Sequence, residues 1–460
     1  MALIQDETLC FACLQFKVKV YLSKMKKAKV IFLVLQLIGI TGFSQNEKMQ
    51  WFGDAKLGIF IHWGIYAVDG TDESWAFYNK KMGHAEYMDQ IKRFTAAKYN
   101  PNEWVELIQE SGAKYTVLTS KHHDGVALWN TNEAHWSIPK HSPAGRDVLT
   151  PFANAVKSSG LKLGIYYSIL DWSHPDYNGF TNDSSRYKIK DNPERWERFV
   201  QFNKSQLQEL MVQQNPDLWW FDGGWEHTAE EWHAPEIGQN LRSYRNNVII
   251  NARLNGEGDY DTPEQNFPIQ RPDEKFWELC LTTNNNWGYQ PNDKNWKTPE
   301  EIIAIFADVV CNGGNLLLDI GPMESGEIPR KQIRILKALG DWNKKNGEAV
   351  FGTVAGLPLG HYYGGSTYSK DSTCVYLYLN GNASGPIQVK GLLNNIVKAE
   401  FLDGGDEVEA KVVGKISWSQ KPGLIFLSWN NKRKLRKQTI PIIKLTLDGP
   451  VKLYQGKGGL

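Results

Sequence analysis

A single carboxylate, Asp222, follows a strongly apolar run in the segment Asp217–Trp225, which reads DLWWFDGGW. Leu218–Phe221 has the composition of a buried strand, and two glycines follow the acid at once. A charge at the end of a buried strand is costly unless it has a partner or a chemical task. The rings beside it, Trp220 among them, could stack on the C–H faces of a sugar and favour carbohydrate chemistry. An ordinary Asp-Gly turn is the alternative interpretation.

Hydrolysis of a glycosidic bond needs a second carboxyl group, and the segment after Arg253 offers candidates. A retaining enzyme holds its two carboxyl groups about 5–5.5 Å apart and uses one as nucleophile and the other as general acid and base. A strand end would fix Asp222 rigidly, as a nucleophile requires, and the second acid is expected on a nearby, partly desolvated loop. The acids of that loop are Glu257, Asp259, Asp261 and Glu264. Spacing alone does not choose among them; side-chain reach favours Glu264 and then Glu257.

Polar side chains also follow the other predicted strands of the first 350 residues. The groups are His62-Trp63-Gly64, Lys121-His122-His123-Asp124-Gly125, Tyr166-Tyr167-Ser168, Asp222, and Asn251 with Arg253. Because the carboxyl ends of parallel barrel strands meet at one face, these groups are expected to converge on one pocket. Packing could explain any one of them, but it explains all five poorly.

The histidines raise the question of a metal site. Adjacent residues on a strand point to opposite faces, so His122 and His123 can reach one ligand only at a bent strand end. A metal-dependent hydrolase using His62, His122 and Asp222 is one hypothesis. Hydrogen bonding of neutral histidines to sugar hydroxyls fits the spacing better, and the sequence predicts no metal and no cofactor.

The elements that would position these residues alternate between apolar strands and amphipathic helices. Strands that are apolar throughout and separated by helices indicate a parallel sheet covered on both faces. The predicted strands are Leu57–His62, Tyr115–Ser120, Leu161–Ser168, Asp217–Phe221, Val248–Asn251 and Asn315–Asp319, and the predicted helices start at Pro101 (capped by Asn100), Val148, Pro193 and Pro299. We therefore predict an α/β fold, a (β/α)8-like catalytic barrel over residues 45–348 in which a helix can be missing or distorted. A doubly wound open sheet is the alternative, but no Gly-rich phosphate loop follows the first strand.

The C-terminal region, residues 349–460, has a different sequence pattern from that of the barrel region. Short β-branched segments alternate with turns such as Asn380-Gly381 and Asp448-Gly449. The predicted strands are Val375–Leu379, Ile387–Val389, Val397–Leu402, Val412–Ser417, Leu424–Trp429 and Ile440–Leu447. This pattern is typical of an antiparallel β-sandwich.

The charge balance and the N-terminal segment indicate which partners and which cellular compartment to expect. Lys and Arg total 52 against 51 Asp and Glu, so no net field attracts nucleic acid or a membrane, and the basic run Lys432–Lys437 is expected in a solvated loop. Met25–Ser44 has the layout of a secretory signal, which indicates Met25 as the true start and residues 1–44 as an extension plus signal peptide. The apolar run is shorter than the about 20 residues that span a bilayer. We expect an exported, periplasmic or secreted protein that has no membrane partner once the signal is removed.

The motifs together resemble glycoside hydrolase family 29, the α-L-fucosidases. The resemblance covers about Trp51 to Asn346 and is carried by WFGDAKLGIFIHWG, AKYTVLTSKHHDGVALW, LGIYYS, LWWFDGGW, the Asn251-x-Arg253 step and GGNLLLDIGPMESGEIP. It implies a retaining exo-hydrolase acting on fucosylated oligosaccharides or glycoconjugates through a covalent intermediate, with Asp222 as nucleophile. Glu264, in a Thr-x-Glu context, matches the acid/base of some members. The substrate-binding residues it implies are His62, Trp75, His122, His123, Arg253 and one tyrosine of the pair Tyr166-Tyr167, with Tyr167 preferred. Trp220, beside the nucleophile, is included with them.

Two departures from the family pattern concern the rim of this pocket. A serine separates Glu73 from Trp75, which weakens the case for a substrate contact by Glu73, and the usual neighbours of Arg253 are missing. Neither removes a catalytic carboxylate. A sugar-binding protein that has lost catalysis is the remaining alternative. On the leaving-group side, Trp172, Tyr177 and Trp225 are candidates, with surface packing as the competing interpretation.

Overall fold

A computed structural model describes residues 47–454, except residues 134, 270, 274, 380–385, 419–420 and 431–437. The predicted extension and signal peptide, residues 1–44, and the basic run Lys432–Lys437 lie outside the described residues. Within the described part of the chain, no helix combines the length and apolar character needed to cross a membrane.

Seven parallel strands form the sheet that carries the candidate site. They are β1 (Leu57–Ile61), β2 (Tyr115–Lys121), β3 (Lys162–Ser168), β4 (Leu218–Asp222), β5 (Ile249–Ile250), β6 (Glu278–Thr282) and β7 (Asn315–Ile320), in the spatial order β6-β7-β1-β2-β3-β4-β5. Almost every residue of these strands is buried, as expected for a sheet with covered faces. The predicted parallel sheet is confirmed. Strand β6 was missed because Glu278 interrupts its short apolar run.

An irregular segment bridges the two edge strands, β5 and β6, and takes the place of an eighth strand. The Ala252 N–H donates to the Tyr260 carbonyl at 3.0 Å on the β5 side. On the β6 side, the Gln265 N–H donates to the Cys280 carbonyl at 3.0 Å, and Glu264 forms a parallel bridge with Cys280. The barrel is therefore distorted at a strand rather than at a helix, and Glu264 lies on the distorted segment.

Among the described residues, six longer helices cover the barrel. They are α1 (Pro101–Glu110), α2 (Leu149–Ser158), α3 (Pro193–Gln214), α4 (Ala234–Tyr244), α5 (Pro299–Cys311) and α6 (Arg330–Val350). The predicted start of α1 is confirmed, because Asn100 Oδ1 accepts the Asn102 N–H at 3.1 Å as an N-cap. α6 runs two residues beyond the predicted domain boundary at 348.

Shorter elements fill the connections around the barrel, and residues 47–55 are helical. Short helices span Trp75–Tyr78, His84–Asp89 and Ile138–His141; 3₁₀ helices span Ile65–Ala67, Gln90–Arg93, Ile189–Asp191 and Gly224–Glu226; and two-stranded pairs join Val126–Ala127 to Trp136–Ser137 and Gly179–Thr181 to Ser184–Ser185.

The C-terminal region consists of two antiparallel sheets with a core of their own, as predicted. One sheet orders β8 (Val354–Ala355), β9 (Ser366–Tyr368), β10 (Cys374–Tyr378), β15 (Ile442–Leu447) and β12 (Ile396–Phe401), and the other β11 (Ile387–Lys390), β14 (Leu424–Ser428) and β13 (Glu409–Val413). β13 ends earlier than predicted because Gly414 adopts a left-handed conformation with φ of 76°. The core between the sheets includes Val375, Leu377 and Leu427.

Candidate active site

A β-bulge at the end of β2 brings two adjacent histidines into one pocket. The pairing of β2 with β3 shifts register between Thr119 and Lys121, so Ser120 is an extra residue that bends the strand. The rings of His122 and His123, which follow this bend, lie with their centroids 4.3 Å apart. The bent strand end required for both histidines to reach one ligand is therefore present.

His62, at the end of β1, completes a cluster of three buried histidines. Its ring centroid lies 6.0 Å from that of His122, and its Nδ1 is 2.7 Å from the Asp319 carboxylate at the end of β7. Burial lowers the pKa of all three histidines, that of His123 to about 3, and burial raises the pKa of Asp319. The histidines are therefore neutral hydrogen-bonding groups at neutral pH.

Asp222 is the last residue of β4 and lies against this cluster, 8% exposed. The Tyr166 hydroxyl donates to its Oδ2 at 3.0 Å, and His123 Nε2 lies 3.7 Å from the same oxygen. Arg253 Nη1 donates to Oδ1 at 2.9 Å. Asp222 is thus a nearly buried carboxylate that Tyr166 and Arg253 hold in place at the carboxyl end of the sheet.

Arg253 links Asp222 to the second predicted carboxylate. Its Nη2 donates to Glu264 Oε2 at 2.7 Å, while Nη1 donates to Asp222. The Glu264 side chain is 40% exposed, compared with 12% for that of Asp222. Two carboxylates therefore share one guanidinium, one deep in the pocket and one at its open side.

The other acids of the same loop have separate partners. Glu257 forms an ion pair with Arg242 of α4 at 2.5 Å, and Asp259 accepts the Ile250 N–H at 3.0 Å. The backbone of Asp261 bridges to Trp277 beside β6. The structure therefore places Glu264, and neither Glu257 nor Asp259, beside the Asp222–Arg253 pair.

Trp220 and Glu278 support Arg253 from inside the barrel. The guanidinium lies 4.5 Å above the Trp220 ring, whose Nε1 donates to Glu278 Oε1 at 2.9 Å. The Tyr115 hydroxyl donates to the other oxygen of Glu278, which is fully buried. Trp220 was predicted to bind substrate; its observed contact is with Arg253. Glu278 was not predicted, although an acid interrupting an apolar run is a signal of a buried polar partner.

The buried Glu278 predicts a measurable pH dependence of stability. Burial raises its pKa from 4.5 to about 7, so between these values the folded protein holds the extra proton and the free energy of unfolding falls as pH rises. A Glu278→Gln variant lacks this titration. Relative to the unmodified protein, it should gain on the order of 3 kcal/mol between pH 5 and pH 8. Denaturant unfolding at both pH values measures the gain, with Glu106→Gln on the exposed face of α1 as control; an equal difference at both pH values would refute the assignment.

The predicted pocket residue Tyr167 lies elsewhere. Its hydroxyl is 2.7 Å from Asn203 Oδ1 and 2.9 Å from Gln206 Oε1, both on α3 behind the sheet. Side chains alternate along a strand, so Tyr167 and Tyr166 face opposite sides of β3. Tyr166, which contacts Asp222, is the pocket tyrosine, and the prediction of Tyr167 is wrong.

Aromatic side chains form the rim of the pocket. Trp75 stacks on Trp225 with centroids 6.2 Å apart and meets His123 edge-on at 5.6 Å. Trp225 is 55% exposed, whereas Trp172 and Tyr177 are fully buried and both contact the Glu226 carboxylate. Of the three leaving-group-side candidates, therefore, the structure exposes Trp225 and uses the other two in packing.

The serine between Glu73 and Trp75 has a partner in the histidine cluster. Ser74 Oγ lies 2.5 Å from His122 Nδ1, and Glu73 Oε1 accepts the Gly288 N–H at 2.5 Å. Burial raises the pKa of Glu73 to about 7. Glu73 therefore anchors the loop that carries Trp287, an unpredicted ring 4.9 Å from His62.

The histidines are each engaged through one nitrogen: His62 with Asp319, His122 with Ser74 and His123 with Ser168. Among the residues that the structure describes, no group of three or more His, Cys, Asp or Glu side chains is arranged to hold a metal ion. Asp319 was not predicted either. Its signal is the same as that of Asp222, an acid near the end of an apolar strand, in GGNLLLDIG.

Comparisons with known proteins agree on one family. The α-L-fucosidase family model matches residues 40–348. An α-L-fucosidase of Dictyostelium discoideum is 31% identical over 362 residues, 70% of this chain and 77% of its own length. The solved α-L-fucosidase isoenzyme 1 of Paenibacillus thiaminolyticus is 31% identical, with a TM-score of 0.79, over 88% of this chain and all of that one. A family 29 α-L-fucosidase of Bacteroides thetaiotaomicron, solved as a trapped covalent intermediate with 2-fluoro-fucosyl fluoride in a Glu-to-Gln mutant, is 26% identical with a TM-score of 0.77, over 88% of this chain and 96% of that one.

Proposed function

The chain belongs to the α-L-fucosidase family of glycoside hydrolases, and from this we propose that it is a retaining exo-α-L-fucosidase with Asp222 as nucleophile and Glu264 as general acid and base. The observation that carries the assignment is the pair of carboxylates on one guanidinium: Arg253 Nη1 donates to Asp222 and Nη2 donates to Glu264. The covalent intermediate and the Glu-to-Gln mutant of the Bacteroides relative support the same two-step chemistry.

In the first step, a carboxylate oxygen of Asp222 attacks the anomeric carbon of a terminal fucose. The glycosidic C–O bond breaks as the Glu264 carboxyl group protonates the departing oxygen, and a fucosyl ester forms on Asp222. In the second step, Glu264 takes a proton from water, the water oxygen attacks the same carbon, and Asp222 is released. Bonds and protons balance over the two steps, and neither uses a metal or an organic cofactor.

The pocket combines a charged nucleophile with neutral hydrogen-bonding groups that can bind a sugar. Arg253 and Tyr166 hold the attacking carboxylate in one orientation, so little reorganisation is needed when it reacts. His62, His122 and His123 are neutral because they are buried, and they suit the hydroxyl groups of a sugar. Trp75 contributes an apolar wall next to His123.

The stereochemistry of the product tests the proposed function. We expect proton NMR of a freshly mixed reaction with an aryl α-L-fucoside to show α-L-fucose first, because two inversions give net retention. Activity should be unchanged by a chelator, since carboxylates carry both steps. Initial release of the β-anomer would overturn the retaining mechanism, and fucose binding without turnover of any fucoside would indicate a binding protein.

The substrate class and the compartment are part of the same proposal. We infer a fucosylated oligosaccharide or glycoconjugate as substrate, with Trp225 presented towards the leaving group because it is the exposed ring beside Trp75. We also infer export, on the evidence of the signal-like segment Met25–Ser44. Terminal sequencing of the protein recovered from its natural source should begin at Gln45; a chain that retains Met25 would refute export by this signal.

A further inference from the structure

Ser168 is a buried residue at the end of β3 that contacts the pocket from behind. Its side chain is fully enclosed and lies outside the set of groups that would touch a substrate. Its Oγ is 2.6 Å from His123 Nδ1 and 2.7 Å from the Leu170 carbonyl oxygen. Two short contacts therefore meet at one hydroxyl group that owns a single proton.

Only one arrangement of protons satisfies both contacts. A carbonyl oxygen can only accept, so the 2.7 Å contact to Leu170 requires the proton of the Ser168 hydroxyl. If that proton pointed at His123 instead, two oxygens without a proton between them would face each other in a buried site, which is costly. The 2.6 Å contact must then be filled by a proton on His123 Nδ1. The resulting chain runs from Nδ1–H to Oγ–H to the carbonyl.

This chain decides what the other nitrogen of the ring can do. The imidazole is neutral because it is buried, so a proton on Nδ1 leaves Nε2 with a lone pair. Nε2 lies 3.7 Å from Asp222 Oδ2, an oxygen that already accepts a hydrogen bond from Tyr166. Two acceptors thus lie side by side, and the O–H group of a ligand can donate a hydrogen bond to them.

We propose that Ser168 is a positioning residue that fixes His123 in the Nδ1–H tautomer, so that Nε2 accepts the proton of a sugar hydroxyl bound beside Asp222. The sugar part of this proposal rests on the proposed function; the tautomer does not. Without the Ser168 hydroxyl, the remaining hydrogen-bond acceptor beside the His123 ring is the Asp222 carboxylate, next to Nε2. The ring would then shift its proton to Nε2 and donate to the carboxylate that has to attack.

Nitrogen-15 NMR of histidine-labelled protein, without ligand, measures the tautomer directly. We expect the His123 signals, assigned by their loss in His123→Gln, to show a protonated Nδ1 and an unprotonated Nε2. In Ser168→Ala the proton should move to Nε2. Protonation of His123 at Nε2 in the unmodified protein would overturn the proposal. Because this measurement uses only the unmodified protein and the assignment variant, it does not depend on the folding of Ser168→Ala.

Kinetics on the same variants give a second readout. The kcat/KM of Ser168→Ala for an aryl α-L-fucoside should fall about 10-fold to 100-fold, the scale of one buried hydrogen bond left unmade. Ser111→Ala is the matched control, because Ser111 is a buried serine at the end of α1 whose hydroxyl also donates to a carbonyl, that of Ile108 at 2.6 Å. It should retain the kcat/KM of the unmodified protein. An unmoved tautomer with unmoved kinetics in Ser168→Ala would refute the role, whereas a chain inactive on all fucosides with the expected tautomers would refute only the proposed function.

Discussion

Replacing Asp222 with glycine should lower kcat for an aryl α-L-fucoside by about 10⁴-fold, the scale seen when one member of a catalytic unit is removed. The physical reason is the loss of the proposed nucleophile, the carboxylate at the end of β4 that Arg253 and Tyr166 hold. The glycine leaves a cavity that a small anion can enter. Azide should therefore restore turnover, and its product should be the β-fucosyl azide because only one inversion then occurs.

The matched control for this variant is Asp217→Gly at the other end of the same strand. Asp217 pairs with Lys162 and Arg245 at the amino-terminal side of the barrel, at 3.0 and 2.6 Å. Its loss should affect stability more than kcat. Full activity of Asp222→Gly, or failure of azide to change its rate while the fold is intact, would contradict the assignment of the nucleophile.

Replacing Glu264 with alanine should make kcat/KM depend strongly on the acidity of the leaving group. General acid catalysis contributes about 10²-fold to 10⁴-fold, so kcat/KM for a fucosylated oligosaccharide should fall by that factor. An aryl fucoside with a very acidic phenol needs no proton in the first step, and its kcat/KM should change little. Azide should accelerate this variant too, but with formation of α-fucosyl azide, because it attacks the fucosyl ester on Asp222.

The anomer of the azide product therefore distinguishes the two carboxylates in one assay. Glu257→Ala is the control for Glu264, because Glu257 comes from the same loop but pairs with Arg242 of α4. It should show no dependence on the leaving group. If Glu257→Ala shows that dependence and Glu264→Ala does not, the acid/base has been assigned to the wrong residue.

The barrel and the sandwich could be predicted because their signals are local. Continuous apolar strands alternate with capped amphipathic helices in the first region, and short β-branched strands alternate with turns in the second. The strand β6 and the bridging segment before it could not, because Glu278 breaks the apolar pattern and residues 260–265 pair through isolated bridges rather than a regular ladder.

The site residues likewise include some that the sequence predicts and others that it does not. Asp222, His62, His122, His123 and Arg253 stand at strand ends or just beyond, where topology alone brings them together, and the structure gathers all of them. The choice between Tyr166 and Tyr167 depended on which face of β3 points inward, which a fully buried strand does not reveal by its polarity. The contacts of Asp319 and Ser168 with His62 and His123 join neighbouring strand ends, and that of Ser74 with His122 comes from the residue before the short helix Trp75–Tyr78. Sequence spacing encodes none of these contacts.

Trapping the fucosyl-enzyme identifies the nucleophile by mass. The protein is inactivated with 2-deoxy-2-fluoro-fucosyl fluoride. The fluorine at C2 slows both formation and hydrolysis of the fucosyl-enzyme, and the fluoride leaving group at C1 keeps its formation fast enough to observe. In Glu264→Gln, hydrolysis of the fucosyl-enzyme should be slower still. Peptide mass spectrometry should then find one added fluorofucosyl group on the peptide that contains Asp222, and none in Asp222→Gly. Inactivation without an added group, or a group on another carboxylate, would contradict the account.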